Sequence, residues 1–190
     1  MIFFVCSCNF TSCEIVLHPE SLINRMTRKE YNRCVDLYAD GLYRFILKNI
    51  RDEEQAKDVV QETYARVWQR VDEIPFEKAR SYLFTTAYHT MIDEIRKSGK
   101  SDRLEQQHSH LQVSYNSYSD LKEVLDEALQ TLSEIQRSVI LLRDYEGYSY
   151  QEIGEITQLS EAQVKVYIFR ARMNLKKYLQ KIENILEVPA

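Results

Sequence analysis

Glycine and proline are scarce in this chain of 190 residues, which contains four glycines and three prolines. An all-β domain needs many tight turns, and tight turns depend on these two residue types, so their scarcity argues against an all-β fold. Long stretches instead repeat apolar residues with the period of an amphipathic helix. The sequence therefore predicts an all-α protein, and its apolar content of 44% is sufficient for packed cores.

Long hydrophobic runs and an excess of one charge are also missing. The apolar run at 2–5 is far too short to span a bilayer. A secretory signal requires positive charge before its apolar core, but no basic residue precedes Arg25. The net charge of −4 argues against generic, charge-driven coating of nucleic acid. We therefore predict no direct membrane insertion, and we expect any nucleic-acid contact to be confined to a local surface.

The four cysteines do not form a framework of paired spacings. Cys6, Cys8 and Cys13 lack the matched second pair that a structural zinc site needs. Cys34 lies on the apolar face of a predicted helix and is interpreted as a core residue. Because no disulfide pattern indicates an oxidising compartment, we predict a cytoplasmic protein.

The first 26 residues are apolar but carry no helical period. We interpret residues 1–26 as a disordered tail or an upstream extension, with Met26 as the natural start. A chain that begins at Met26 is therefore expected to fold normally.

Two periodic regions follow, separated by a polar segment. Residues 98–120 are rich in Ser, Gln and His and have weak periodicity, which indicates a linker. The linker divides a first helical domain at 27–97 from a second at 121–183. Helices are predicted in the first domain over 27–50, 52–71 and 77–97, and Asp52 with Gln55 is predicted to cap the second of them. In the second domain, Ser133 with Gln136 is predicted to cap a helix.

The second domain ends in the pattern of a helix-turn-helix. Ser149 with Glu152, and Ser160 with Gln163, are two capping boxes that mark the starts of consecutive helices. The second helix carries five basic residues and one acidic residue over 160–177, although the whole chain is acidic. Its predicted inward face has spacings of four, three and four, at Val164, Ile168, Ala171 and Leu175. Two adjacent capped helices, the second of them positive, indicate a DNA-binding motif.

No constellation of catalytic residues accompanies this pattern. Asp58 and Glu62 could be paired carboxylates for general acid–base chemistry, but no nucleophile, metal motif or phosphate loop lies nearby. His108 and His110 lack acidic or cysteine partners at ligand spacing, which favours a solvated linker over a metal site. We therefore predict no enzymatic activity, cofactor, metal or small-molecule substrate. The alternative is a regulator that binds duplex DNA alone through the helix-turn-helix.

The two helical regions together resemble extracytoplasmic-function sigma factors, the small two-domain initiation factors of bacterial RNA polymerase. The resemblance rests on DEEQAKDVVQETYARVW at 52–68, SYLFTTAYHTMIDEIRK at 81–97 and LSEIQRSVILLRDYEGYSYQEIGEITQLSEAQVKVYIFRARMNLKKYL at 132–179. It implies two small helical domains joined by a polar linker, the second with the helix-turn-helix. It also implies binding to core RNA polymerase, to promoter DNA and, often, to an anti-sigma factor.

The resemblance implies roles for three sets of residues. Docking on polymerase is implied for Asp58, Gln61 and Glu62. These residues lie in an acidic helical segment, 51–62, which contains five acidic and two basic residues. Contact with the −10 DNA is implied for Arg80, Tyr88, His89, Arg96, Lys97 and Lys100. Contact with the −35 DNA is implied for Ser160, Glu161, Gln163, Lys165, Val166, Tyr167 and Arg170. Without the resemblance, the acidic face would be interpreted as an ordinary solvated helix surface.

The sequence departs from the family at four of these positions. Tyr88 stands where members often carry a basic residue, and His89 where asparagine is common. Val166 and Tyr167 replace the small and basic residues often found there. The resemblance therefore does not extend to the promoter sequence that is read.

Overall fold

The computed structural model describes residues 25–101 and 120–186, and nearly all of them lie in helices. The α-helices in this part of the chain are α1 (Arg28–Ile50), α2 (Glu53–Gln69), α3 (Ala79–Ser101), α4 (Asp120–Gln130), α5 (Glu134–Ile140), α6 (Tyr150–Thr157) and α7 (Glu161–Leu186). Two short 3-10 turns, Val71–Glu73 and Phe76–Lys78, join α2 to α3, and a π-helical turn, Leu141–Tyr145, extends α5. The predicted all-α fold is confirmed.

The first two helices begin at residues whose side chains cap them, Thr27 for α1 and, as predicted, Asp52 for α2. The Thr27 hydroxyl accepts a hydrogen bond from the backbone N–H of Glu30 at 3.2 Å, and the Glu30 carboxylate accepts from the Thr27 N–H at 2.8 Å. The Asp52 carboxylate accepts from the backbone N–H of Gln55 at 2.8 Å. These bonds satisfy N–H groups that have no partner within the helix, so they fix where α1 and α2 start.

Helix α5 begins without the predicted capping pair. Ser133 occupies the N-cap position but makes no capping hydrogen bond. The Gln136 side chain instead accepts from the Asn174 amide of α7 at 3.4 Å. The predicted pairing of Ser133 with Gln136 is therefore wrong, because packing against another helix redirects the glutamine.

Helices α1, α2 and α3 pack around one core and form the N-terminal module, residues 25–101. Met26 is 1% exposed, its backbone N–H donates to the Ile74 carbonyl at 3.1 Å, and its sulfur lies 3.7 Å from the Cys34 thiol. Cys34 is thus confirmed as a core residue. The predicted tail at 1–26 extends too far, because Arg25 and Met26 belong to the folded module; residues 1–24 lie outside the described part. The largest side chains of the core include Leu42, Ile46, Val59, Leu83, Phe84 and Met91.

The predicted linker at 98–120 begins later than expected. Helix α3 continues to Ser101, so residues 98–101 are helical, and residues 102–119 lie outside the described part. Helix α4 starts at Asp120 and α7 runs to Leu186, so the helices of the second domain extend beyond its predicted bounds of 121–183.

Helices α4 to α7 form the C-terminal module, residues 120–186, with the predicted helix-turn-helix at α6 and α7. Both capping boxes are confirmed: Ser149 with Glu152, and Ser160 with Gln163, exchange hydrogen bonds of 2.8 to 3.3 Å. The hydrogen bonds from Ser149 hold the pKa of Glu152 below its usual value. The predicted inward face of α7 is also confirmed, with Val164, Ile168 and Ala171 buried and Leu175 partly buried.

The turn between α6 and α7 leaves no room for a side chain at Gly154. A Cβ at this position would lie 2.6 Å from the backbone oxygen of Leu159, closer than Cβ atoms approach other heavy atoms. The Leu159 N–H donates to the Gly154 carbonyl at 3.0 Å, after Gln158 has turned the chain with φ of 58°. Glycine at 154 therefore allows the two helices to meet at the angle that the motif requires.

We expect Gly154→Ala to destabilise the protein by about 1–3 kcal/mol, because the Leu159 backbone must shift to admit the methyl group. The sign is informative, since alanine in place of glycine within an exposed helix normally stabilises by about 1 kcal/mol. Chemical denaturation measures the difference. Glu155→Ala, an exposed neighbour in α6, should change the free energy of unfolding by less than about 0.5 kcal/mol. Stability equal to the parent's in Gly154→Ala would contradict the close contact.

Candidate polymerase and promoter interfaces

One surface of α2 is acidic and exposed. Asp58, Gln61 and Glu62 are all exposed, whereas Ala56 and Val59 on the opposite side of the helix are buried. The period of α2 thus separates a face that holds the module together from a face that is free to bind a partner. The structure brings together all three predicted docking residues on this surface, which we call the acidic face.

The acidic face borders a groove of about 350 Å³ between α2 and α3. Glu62 accepts from the Arg66 guanidinium at 2.7 Å, and Arg66 also donates to the Thr90 hydroxyl of α3 at 3.1 Å. Asp58 lines the same groove, as does Lys97 of α3. The groove therefore combines carboxylates and cations in a recess that suits the polar surface of another protein.

Arg96 and Lys97 occupy the exposed end of α3. Both pair locally, Arg96 with Asp93 at 3.9 Å and Lys97 with Glu94 at 2.6 Å. Pairs of this kind between exposed side chains contribute little free energy, so a phosphate can displace the carboxylates. Lys100 also belongs to α3, one turn further on.

Arg80, by contrast, joins the two modules. Its guanidinium donates to the backbone carbonyl of Glu146 at 2.6 Å and to the Glu146 carboxylate at 3.4 Å. It also lies 4.4 Å from the centroid of the Tyr148 ring, a cation–π contact. In this conformation the Arg80 guanidinium is engaged by the C-terminal module.

Tyr88 and His89 lie on α3 two turns beyond Arg80. Tyr88 is buried, and burial raises its pKa. The negative charge of Glu134 in α5 also acts to raise the pKa of Tyr88. The Nε2 atom of His89 is 3.4 Å from the side-chain amide nitrogen of Gln158, in the turn of the helix-turn-helix. The predicted −10 residues are therefore divided between the module interface and the exposed end of α3.

Sequence reasoning missed the side chains that close the module interface from the other side. The Tyr148 ring is 2% exposed and packs against Phe84 of α3, with centroids 5.3 Å apart. Arg137 donates to the backbone carbonyl of Asn49 at 3.0 Å, and the Ser138 hydroxyl donates to the Asn49 side chain at 2.9 Å. Burial lowers the pKa of Arg137. Nothing in the sequence distinguishes Arg137 and Ser138 from solvated residues, because Asn49, which both of them contact, belongs to the other module.

Four of the predicted −35 residues lie at the start of α7, with Ser160 immediately before its first residue, and most of their polar groups are used locally. Ser160 and Gln163 bond to each other in the capping box described above. Lys165 pairs with Glu161 at 2.6 Å and lies 5.6 Å from the Tyr150 ring centroid, and its hydrogen bond to Glu161 raises the pKa of Lys165. Lys165 is thus directed toward α6 and does not project freely outward.

The remaining −35 residues differ in accessibility. Val166 is 45% exposed, Tyr167 is half-buried against the core, and Arg170 is exposed. Arg170 forms no ion pair within the described residues, whereas Arg172 pairs with Asp144 at 2.6 Å. Arg170 is therefore the cation of this set that is best placed to reach a DNA group.

Comparison with known proteins identifies both modules. Sigma-70 region 2 matches residues 34–101, and Sigma-70, region 4 matches residues 122–175. ECF RNA polymerase sigma factor SigL of Mycobacterium tuberculosis H37Rv is 33% identical over 155 residues, which cover 77% of this chain and 87% of that protein. The chain belongs to the extracytoplasmic-function sigma factors. It is a promoter-specific factor for the initiation of transcription, and it acts with core RNA polymerase on promoter DNA.

Further similarities agree with this assignment. ECF RNA polymerase sigma factor SigM of Bacillus subtilis strain 168 is 30% identical over 145 residues, covering 74% of this chain and 89% of that relative. The solved structure of RpoE with the anti-sigma factor NepR from Bartonella quintana has a TM-score of 0.68 at 24% identity, covering 80% of this chain and 98% of that one. CnrH in complex with the cytosolic domain of CnrY has a TM-score of 0.63 at 22% identity, with coverage of 82% and 90%. At these identities the two structures establish a shared fold.

Sigma factors are initiation factors and not catalysts. Over residues 25–101 and 120–186, no helix is long and apolar enough to cross a membrane. The same residues contain no cluster of three or more possible metal ligands.

Proposed function

We propose that the domain predicted at 27–97 docks on core RNA polymerase through Asp58, Gln61 and Glu62. The observation that carries this role is the acidic face, where these three side chains are exposed together on a helix whose other side is buried. A rigid helix that presents carboxylates complements a basic surface on a partner. The face borders a groove, which gives the partner's side chains a place to insert.

The same domain engages the −10 DNA in two steps. Arg96 and Lys97, which are exposed, contact the phosphates together with Lys100, which follows them in α3. Arg80, Tyr88 and His89 contact the melted strand after the two modules have separated, because in the conformation described here Tyr88 is buried and Arg80 and His89 contact the C-terminal module. Aromatic side chains and cations together form a suitable surface for unstacked bases.

The domain predicted at 121–183 reads the −35 element through the N-terminal half of α7. Recognition helices of this motif contact base edges with their first turns. The candidates are Ser160, Glu161, Gln163, Lys165, Val166, Tyr167 and Arg170. The protein works in the cytoplasm without catalytic activity, cofactor or metal of its own, since the polymerase forms the RNA.

An anti-sigma factor is a further proposed partner. The two structures with the same fold were solved as complexes, one of them with the anti-sigma factor NepR. A protein that covers the acidic face or holds the modules together would prevent both polymerase docking and access to the −10 residues.

We expect Arg170→Ala to weaken binding of the holoenzyme to its promoter by about 1–3 kcal/mol if the guanidinium contacts a base edge, and to relax preference at one −35 position. If the contact is to a phosphate, the loss should be similar for all sequences, and the salt slope should fall by about one unit. Lys165→Ala should have the smaller effect, because Lys165 already pairs with Glu161. The assay is binding to promoters varied at −35, at several salt concentrations. Unchanged affinity, preference and salt dependence in both variants would show that α7 does not read DNA.

A further inference from the structure

Glu146 is a carboxylate of the C-terminal module that is enclosed by helices of the N-terminal module. Its side chain is only 14% exposed. On one side, a Cβ at Gly41 of α1 would lie 3.3 Å from both carboxylate oxygens, closer than most Cβ contacts, so the missing side chain makes room for Glu146. On another side, the Arg80 guanidinium of α3 donates to the Glu146 backbone carbonyl at 2.6 Å and to its carboxylate at 3.4 Å. Two helices of the other module thus form the site that receives Glu146.

The chain carries two locally unusual features at this contact. The π-helical turn Leu141–Tyr145 ends at Glu146, whose N–H donates to the Leu141 carbonyl at 3.2 Å. Such turns are rare and occur frequently at functional sites. Gly41 lies in the interior of α1, where glycine weakens a helix. Because neither feature favours the folding of its own module, their meeting at Glu146 indicates that the contact has a role beyond folding.

The C-terminal module takes the place of a nucleic-acid strand at the proposed −10 residues. A guanidinium forms charge-assisted hydrogen bonds with carboxylates and with phosphates alike, so the Glu146 carboxylate is a substitute for a DNA phosphate at Arg80. Gln158 of the same module contacts His89, and the negative charge of Glu134 acts on Tyr88. All three residues proposed to contact the melted strand are therefore met by groups of the C-terminal module.

The docking residues remain accessible while Arg80 is held. Asp58, Gln61 and Glu62 are exposed in this same conformation, so the protein can dock on polymerase before its modules separate. We propose that Glu146 is an intramolecular competitor of promoter DNA, which holds Arg80 in the free protein and releases it when the modules separate on polymerase. The inference rests on the proposed role of Arg80 at −10. It implies that the free protein binds the melted strand weakly.

The test measures binding of the free full-length chain to a fluorescent single strand that carries the −10 element of a promoter selected by the holoenzyme from a randomised pool. Glu146→Lys places a cation against Arg80. Asp144→Lys makes the same change of charge two residues away, but Asp144 pairs with Arg172 of its own module. We expect Glu146→Lys to bind the strand about tenfold more tightly than Asp144→Lys. Adding Arg80→Ala to Glu146→Lys should remove this difference.

A second measurement follows the separation of the modules directly. The radius of gyration from small-angle X-ray scattering should be larger for Glu146→Lys than for the parent and for Asp144→Lys. Circular dichroism checks that each variant is folded. Glu146→Gln, compared with Asp144→Asn, removes the charge with little change of shape and should bind the strand more tightly in the same direction. This milder pair decides the question if Glu146→Lys does not fold.

The inference is overturned by equal strand affinities within each pair, by an unchanged radius of gyration, or by tighter binding that persists without Arg80. The holoenzyme tests the proposed −10 role separately, because its modules are already apart. If Arg80→Ala holoenzyme melts the promoter as the parent does, measured by 2-aminopurine fluorescence, that role fails and the inference fails with it. If Arg80→Ala impairs melting but free Glu146→Lys binds the strand no better than Asp144→Lys, the −10 role stands and only the inference is wrong.

Discussion

Asp58→Lys combined with Glu62→Lys is expected to abolish stable holoenzyme formation while the protein remains folded. Two cations would then face the basic partner surface that the acidic face is proposed to meet, and like charges brought together at an interface cost several kcal/mol. We expect affinity for core polymerase to fall by more than about hundredfold. Promoter-dependent transcription should be lost in parallel. Pull-down of core polymerase and in vitro transcription measure the two effects.

The chain offers a closely matched control on α1. Asp36 and Asp40 are exposed and four residues apart, and Asp40 pairs with Arg44, as Glu62 pairs with Arg66. Asp36→Lys with Asp40→Lys therefore makes the same change of charge, at the same spacing, on another surface. Holoenzyme formation close to the parent's in the α2 variant, or an equal loss in the α1 variant, would refute docking through the acidic face.

Tyr148→Ala is expected to reduce the free energy of unfolding by about 3–5 kcal/mol, the range for removing a large buried aromatic side chain. Tyr148 is 2% exposed and contacts both Phe84 and Arg80 of the other module, so its loss opens a cavity at the module interface. Burial also raises the pKa of its hydroxyl group. Urea denaturation monitored by circular dichroism measures the change.

The conservative variant separates the ring from the hydroxyl group. Tyr148→Phe keeps the packing and removes one hydrogen bond to the Arg80 carbonyl, with an oxygen–oxygen distance of 3.4 Å. We expect a loss of about 1 kcal/mol or less. If Tyr148→Ala is as stable as Tyr148→Phe, the ring does not hold the modules together, and the role assigned to this contact is wrong.

The module interface links stability to the proposed function. Arg80, which is predicted to contact −10 DNA, is held in the structure by Glu146 and Tyr148. Promoter melting through Arg80 therefore requires that these contacts break first. A variant that weakens the interface, such as Tyr148→Ala, would expose this surface at the cost of stability.

The helices and most of their starts could be predicted from sequence because their causes are local. A capping box such as Ser149 with Glu152 involves side chains three residues apart, so the signal is complete within one turn. The inward face of α7 could be predicted because Val164, Ile168, Ala171 and Leu175 repeat with the period of a helix. The exposure of Asp58 and Glu62 follows in the same way, since the apolar residues of α2 fix which side is buried.

Other features could not be predicted, since their partners are distant in sequence. Arg80 donates a hydrogen bond to Glu146, which lies 66 residues away in the sequence, and Arg137 donates one to Asn49, which lies 88 residues away. Ser133 fails to cap α5 although its local pattern is correct, because Gln136 contacts α7 instead.

By itself, the sequence determined the fold class, the helix-turn-helix and the acidic face, because each depends on spacing within one helix or one turn. Only the tertiary structure decided which predicted promoter residues are accessible. Arg80 and Arg96 are both cations of α3, yet one is held by the C-terminal module and the other is exposed. The difference arises from the packing of two modules, and a helical period specifies which face is buried but not which other helix covers it.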